Sequence, residues 1–188
     1  MRKSLIWSII QGFSKKEKKA FRLFLESPYF NTRSDLKLIF EQLVYYQNTS
    51  EGAPSRETFF KKIFPDEVFD DQKLRLTMSY LLKLLESFLI LESNKDNDSL
   101  NHQKLLVAYR NRNLHRHFQK TINRSQKYFK AQTLRHPEYH YSRFMIENEN
   151  YHFLSGSGRT KEMNLQEVEN HLNEAFLSMK LRQACFLR

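Results

Sequence analysis

The chain has 188 residues, 40% of them hydrophobic and including sixteen Phe and nine Tyr, enough apolar matter for one sizeable core or two small ones. Four Gly and four Pro are too few for an all-β protein, which spends both on turns, and a single cysteine, Cys185, excludes an internal disulfide framework. The formal charge of +10 is unevenly placed: residues 1–98 carry 16 Lys/Arg against 14 Asp/Glu, whereas residues 99–188 carry 15 against 7, with all seven His.

The opening MRKSLIWSII has a basic tip and an apolar run, as a signal peptide does, but the run stops at Gln11. Lys15, Lys16, Lys18 and Lys19 come next without a small-residue cleavage site. The most apolar stretch, LLKLLESFLILES, is broken by Lys83 and Glu86, so no membrane span is expected. The lone cysteine fits a reducing compartment, and the expected location is cytoplasmic.

Helical spacing dominates from the start. Leu5, Ile6, Ile9, Ile10 and Phe13 recur at three-to-four intervals, with Gly12 placed to stop a short helix. Ser14 and Glu17 form a capping box opening a helix to about Ser27, which Pro28 ends. Asn31 is read as the cap of a third helix, with an inward stripe of Leu36, Ile39, Phe40, Leu43 and Val44. After the turn-rich NTSEGAPS, Ser55 opens a short helix with Phe59, Phe60 and Ile63 inward, and Pro65 breaks it. A long helix from about Asp71 to Leu91 carries Leu74, Met78, Leu81, Leu82, Leu85, Phe88 and Leu89.

The polar run SNKDNDS at 93–99 marks the expected boundary between a helical bundle, 1–92, and a basic unit, 100–188. Helices are expected there at about 100–111, 113–133, 138–154 and 164–188, joined in part by SGSGRTK at 155–161. Pro137 with Glu138 makes a favourable helix start, and Asn164 with Glu167 resembles a capping box. The fold class is therefore all-α.

Four helices with short connections suggest two helical hairpins; the class pattern of Trp, Leu-Gly, Tyr, then Ala and Pro is not met, and Tyr109 and Pro137 are its nearest echoes. Through the hairpins, the second half resembles the tetratricopeptide-like helical repeats. The stretch MKLRQACF at 179–186 is similar to a segment of long, uncharacterised, all-helical bacterial proteins. That similarity implies the N-terminal part of such a chain and brings no activity with it.

Motifs for chemistry are sparse. Neither G-x-G-x-x-G nor G-x-x-x-x-G-K-[ST] occurs, and Gly156-Ser157-Gly158 has no strand before it. His115 and His117 diverge on a helix, and Pro137 puts His136 at a helix boundary although His140 stands at i+4. Cys185 and His171 lie fourteen residues apart, about 21 Å along one helix. Glu147 and Glu149 diverge as alternate residues and are read as a solvated face, and His152 as a packed histidine. No catalytic constellation assembles, and neither enzyme activity, cofactor nor metal is expected.

The strongest functional signal is YRNRNLHRHFQKTINRSQKYFKAQTLRH, 109–136, with eight Lys or Arg and no carboxylate. On a helical wheel Leu114, Phe118, Ile122 and Phe129 share an inward arc, while Arg112, Arg116, Lys120, Arg124, Lys127 and Lys130 form a cationic stripe outside. Like charges at i, i+4 repel by a few tenths of a kcal/mol, roughly, so the stripe predicts a negative occupant. The candidates are phosphate backbone, an acidic protein surface, or Asp66–Asp71 of the same chain. Residues 55–91 have helix-turn-helix proportions with Lys73, Arg75 and Lys83 available for phosphates, but the intervening break is long, no wing comes after it, and Leu74, Leu76 and Met78 point to packing.

A second surface is expected on the last helix. Leu165, Val168, Leu172, Ala175, Phe176, Met179, Phe186 and Leu187 form an apolar stripe with no stop signal before Arg188. Its interaction residues Leu172, Phe176, Met179, Phe186 and Leu187 are expected to be covered by later helices or by a second copy. The sequence thus points to a non-enzymatic protein–protein interaction scaffold of helical hairpins, with a nucleic-acid-binding module as the alternative.

Overall fold

A computed structural model describes residues 4–49, 54–156 and 163–187. Among the described residues there are nine α-helices and no strand, and no helix is long and apolar enough to cross a membrane. The chain divides after Ser93 into two compact units.

The first unit holds α1 (Leu5–Gly12), α2 (Lys15–Glu26), α3 (Ser34–Asn48), α4 (Arg56–Ile63) and most of α5 (Asp71–Asn94). Helices α1, α2 and α4 each pack on α3, and α5 adds Leu74, Leu81, Leu85 and Phe88 to the same core. Phe21 sits at the centre, its ring 4.9 Å from Phe40 and 5.2 Å from Phe88, both edge to face. Such pairs add about 0.5–1.5 kcal/mol to simple burial, which makes the Phe cluster the natural anchor of this unit.

Local signals hold where backbone groups need them. Ser14 Oγ accepts from Glu17 N–H, and Glu17 Oε2 accepts from Ser14 N–H at 2.7 Å, completing the capping box. The Ser14 hydroxyl first, and the Ser14 backbone N–H second, hold the Glu17 carboxyl below its ordinary pKa. Two expectations are corrected. Asn31 does not cap α3: its amide donates to Leu25 O and Arg33 O and accepts from Arg33 N–H, fixing the loop before a helix whose first residue is Ser34. On α1 the inward face is Ile6, Trp7 and Ile10, while Leu5 is exposed, because the short helix turns its indole inward.

The second unit contains α6 (Asp98–Asn111), α7 (His115–Ala131), α8 (Pro137–Ser155) and α9 (Leu165–Phe186). Helix α6 packs on α7 and α8, α7 on α8, and α8 on α9. Leu106, Phe118, Ile122, Phe129, Tyr139 and Ile146 form the core, with Phe153 stacked on Phe118 at 4.1 Å. The expected seven-residue linker shrinks to 95–97, because α5 continues through Asn94 and Asn97 Oδ1 accepts from Leu100 N–H to start α6. Of the SGSGRTK connection, residues 157–161 lie outside the described residues.

The turn between α6 and α7 sets how these two helices meet. Leu114 N–H donates to Tyr109 O and Asn113 N–H to Arg110 O, the 6→1 and 5→2 bonds of a Schellman motif. Asn113 occupies the left-handed region at φ 56°, which asparagine tolerates better than most residues. Helix α7 accordingly starts at His115, and Leu114, expected in the inward arc, is 38% exposed at the N-cap.

Candidate functional site: a cationic cleft between α6 and α7

Helix α7 buries Phe118, Thr121, Ile122, Ser125 and Phe129, which leaves its long cationic side chains on the outside. Four of the six stripe residues, Arg116, Lys120, Arg124 and Lys127, line one open cleft of about 770 Å³. Its other wall comes from Leu105 and Tyr109 of α6. The remaining two leave the stripe. Arg112 lies in the turn and donates to Ala108 O at the end of α6, where a cation also suits the helix dipole. Lys130 lines a different hollow. The stripe is therefore a four-cation cluster, shorter than the periodicity predicts.

Among the described residues, no carboxylate pairs with Arg116, Lys120 or Lys127. Arg124 is held differently. Its Nε donates to His102 Nε2 at 2.9 Å, and His102 is buried on α6, edge to face with Tyr128. Accepting that bond requires neutral imidazole. Burial first, and the Arg124 charge second, push the His102 pKa below its ordinary 6.5. A neutral imidazole thus orients a guanidinium at the cleft without cancelling its charge. Tyr109 and His117 add a ring pair, with centroids 5.6 Å apart.

His102, Leu105 and Tyr109 escape the wheel of α7 because they belong to its neighbour, and His117 gains its meaning only from Tyr109 opposite it. His102, Leu106 and Tyr109 recur at spacings of four and three on α6, a signal that such a face exists. Three of the four carboxylates of the acidic segment 66–71 have partners within the first unit. Asp71 pairs with Arg56 and Arg75, Glu67 pairs with Lys73, and Asp70 Oδ1 accepts from Gln72 and Lys73 N–H groups. Lys73 and Arg75, two of the three cations named for phosphates in 55–91, stand in those pairs. Leu76, read there as packing, is exposed.

The other hollow, about 540 Å³, is lined by Lys130, Arg135, Arg143, Glu147, Asn164 and Glu167 among others. Here the expectation of a solvated Glu147 and Glu149 is overturned, since both are buried. Arg110 Nε donates to Glu149 Oε2 at 3.0 Å, linking α6 to α8. Asn164 Nδ2 donates to Glu147 O and Oε2, both at 2.9 Å. That explains a further correction: Asn164 makes no side-chain cap to α9, because its amide ties the start of α9 to α8. The two carboxylates diverge as alternate residues should, but inward-facing elements lie on both sides.

Two histidines, His140 and His171, converge on one carboxylate, Glu174. His136 is the N-cap of α8, His140 Nδ1 lies 3.0 Å from Glu174 Oε2, and His152 is exposed beside Asn148 rather than packed. His171 Nδ1 lies 2.9 Å from the same Glu174 oxygen, and these contacts, His171 first, hold the Glu174 carboxyl below its ordinary value. No three His, Cys, Asp or Glu side chains gather as a metal-ligand group among the described residues. Cys185 is exposed and His171 buried on the same continuous helix.

The second candidate surface lies on α9. His171 and Ala175 make its buried face. The predicted interaction residues all point elsewhere: Leu172, Phe176, Met179, Phe186 and Leu187 are exposed, Phe176 at 56%. Small Ala175 lets α9 approach α8, and the larger apolar side chains are left on an adjacent strip of the helix.

No protein-family model, curated protein or solved structure matches this chain.

Proposed function

We propose that residues 94–187 form a non-catalytic interaction module of tetratricopeptide-like helical hairpins, whose α6–α7 cleft takes an acidic, amphipathic segment of a partner protein. The observation that carries this reading is the composition of the cleft. Arg116, Lys120, Arg124 and Lys127 stand over an apolar wall of Leu105 and Tyr109. Carboxylates of the segment pair with the cations, and its apolar side chains lie against Leu105 and Tyr109.

Burying one Leu-sized side chain contributes about 1.5–3 kcal/mol, and each rim ion pair roughly 0–1 kcal/mol. The apolar contacts therefore supply most of the affinity, and the cations supply rate and selectivity. Titration of the protein with a 20-residue helical peptide, Glu on one face and Leu on the other, tests the reading directly.

A second reading, nucleic-acid binding, is favoured by the Tyr109–His117 ring pair, which offers a base a stacking platform beside the cations. It is distinguished by its salt dependence. Four phosphate contacts give a slope of log K against log salt of about −3.6 on duplex DNA and −2.8 on a single strand. A peptide held mainly by apolar contacts gives a much shallower one.

A further inference from the structure

We infer that α9 is a self-association surface: two copies of this chain pair through antiparallel α9 helices, independently of the α6–α7 cleft. Leu165, Leu172, Met179 and Phe186 stand seven residues apart, the repeat of a coiled-coil seam, and Phe176 lies four residues beyond Leu172. All five are exposed, Leu172 at 47%, Phe176 at 56% and Phe186 at 80%, while His171 and Ala175 face α8. A stripe three heptads long, apolar and uncovered, is what an interface leaves behind when the partner is removed.

The even spacing of the stripe admits a two-fold axis. The midpoint falls at Phe176, within half a residue. A two-fold axis there sets Leu165 of one copy against Phe186 of the other, Leu172 against Met179, and the two Phe176 rings beside each other. Charge selects the same arrangement. The first half of α9 carries Glu167, Glu169 and Glu174, and the second half carries Lys180 and Arg182. Antiparallel pairing runs acid beside base, with Glu169 near Lys180, whereas parallel pairing runs like beside like. Glu174 is engaged by His140 and His171, Arg182 by Glu138, and Glu167 lines the hollow beside α8, so Glu169 and Lys180 carry the selectivity.

Sedimentation velocity of the 188-residue protein from 1 to 200 µM is the test, with circular dichroism to confirm that each variant stays helical. The expected result is a monomer–dimer equilibrium that Phe176→Asp weakens at least a hundredfold. Glu169→Lys weakens it severalfold, and adding Lys180→Glu to that variant restores it. A protein monomeric over the whole range overturns the inference. So does a dimer indifferent to Phe176→Asp, or one in which the double charge exchange restores nothing.

Discussion

Arg124 on α7 and His102 on α6 are joined by one hydrogen bond, Arg124 Nε to His102 Nε2 at 2.9 Å, and that bond ties a cleft cation to the buried side of its neighbour. It also has a pH signature. The folded-state pKa of His102 is lowered, by burial first and by Arg124 second, so the unfolded chain binds the proton more readily. Stability contributed this way is complete above the ordinary value of 6.5 and falls as pH drops from there to the lowered value. Urea midpoints measured from pH 5 to 8 should rise with pH more steeply in the wild type than in His102→Asn, which keeps an acceptor for Arg124 but does not titrate. Equal slopes would show that His102 is not the group responsible.

The Schellman turn makes a second, sharper prediction. At φ 56° Asn113 is in the left-handed region, where glycine is freer and a β-branched residue is strained. Asn113→Gly should leave the thermal midpoint unchanged or raise it slightly. Asn113→Val should cost about 1–2 kcal/mol, and peptide affinity at the cleft should fall with it, because the turn sets α6 against α7.

Arg110 and Glu149 predict a non-additive pair. The Glu149 carboxylate is almost enclosed, so Arg110→Met removes its partner and leaves the charge behind. The expected loss is about 1–3 kcal/mol in urea denaturation, moderated by the water that reaches the half-exposed guanidinium. The double variant Arg110→Met with Glu149→Met should recover much of that loss. A double variant as unstable as the sum of the singles would mean that the pair is not coupled.

What the sequence makes legible depends on how local each feature is. The Ser14–Glu17 capping box and the stripe from Leu36 to Val44 depend on one helix each, and periodicity finds them. Asn31 and Asn164 mislead for a common reason: both look like caps, and both spend their amides on tertiary partners, Leu25 O in one case and Glu147 in the other. Glu147 and Glu149 look solvated because charge implies exposure until a partner such as Arg110, thirty-nine residues from Glu149, arrives. Four cations of the cleft are visible on the wheel of α7. The wall opposite them is not, since Leu105 and Tyr109 come from another helix. On α9 the apolar residues are legible, but which of them turn inward is decided by the close approach at Ala175.

Binding of an acidic amphipathic segment in the α6–α7 cleft is tested most directly by fluorescence anisotropy with a labelled Glu/Leu helical peptide. Titrations at 50 and 200 mM salt compare the wild type with the variant Arg116→Gln, Lys120→Gln, Lys127→Gln, which breaks no ion pair among the described residues, and with Leu105→Asp. The expected result is saturable binding that the triple variant weakens about tenfold and Leu105→Asp weakens at least as much, with only a shallow salt slope. Saturable binding of a duplex or single-stranded oligonucleotide, with a slope of about −3 and no effect of Leu105→Asp, in place of peptide binding, would contradict it in favour of nucleic acid. Peptide binding that survives the triple variant unchanged, or no binding at all, would contradict it outright.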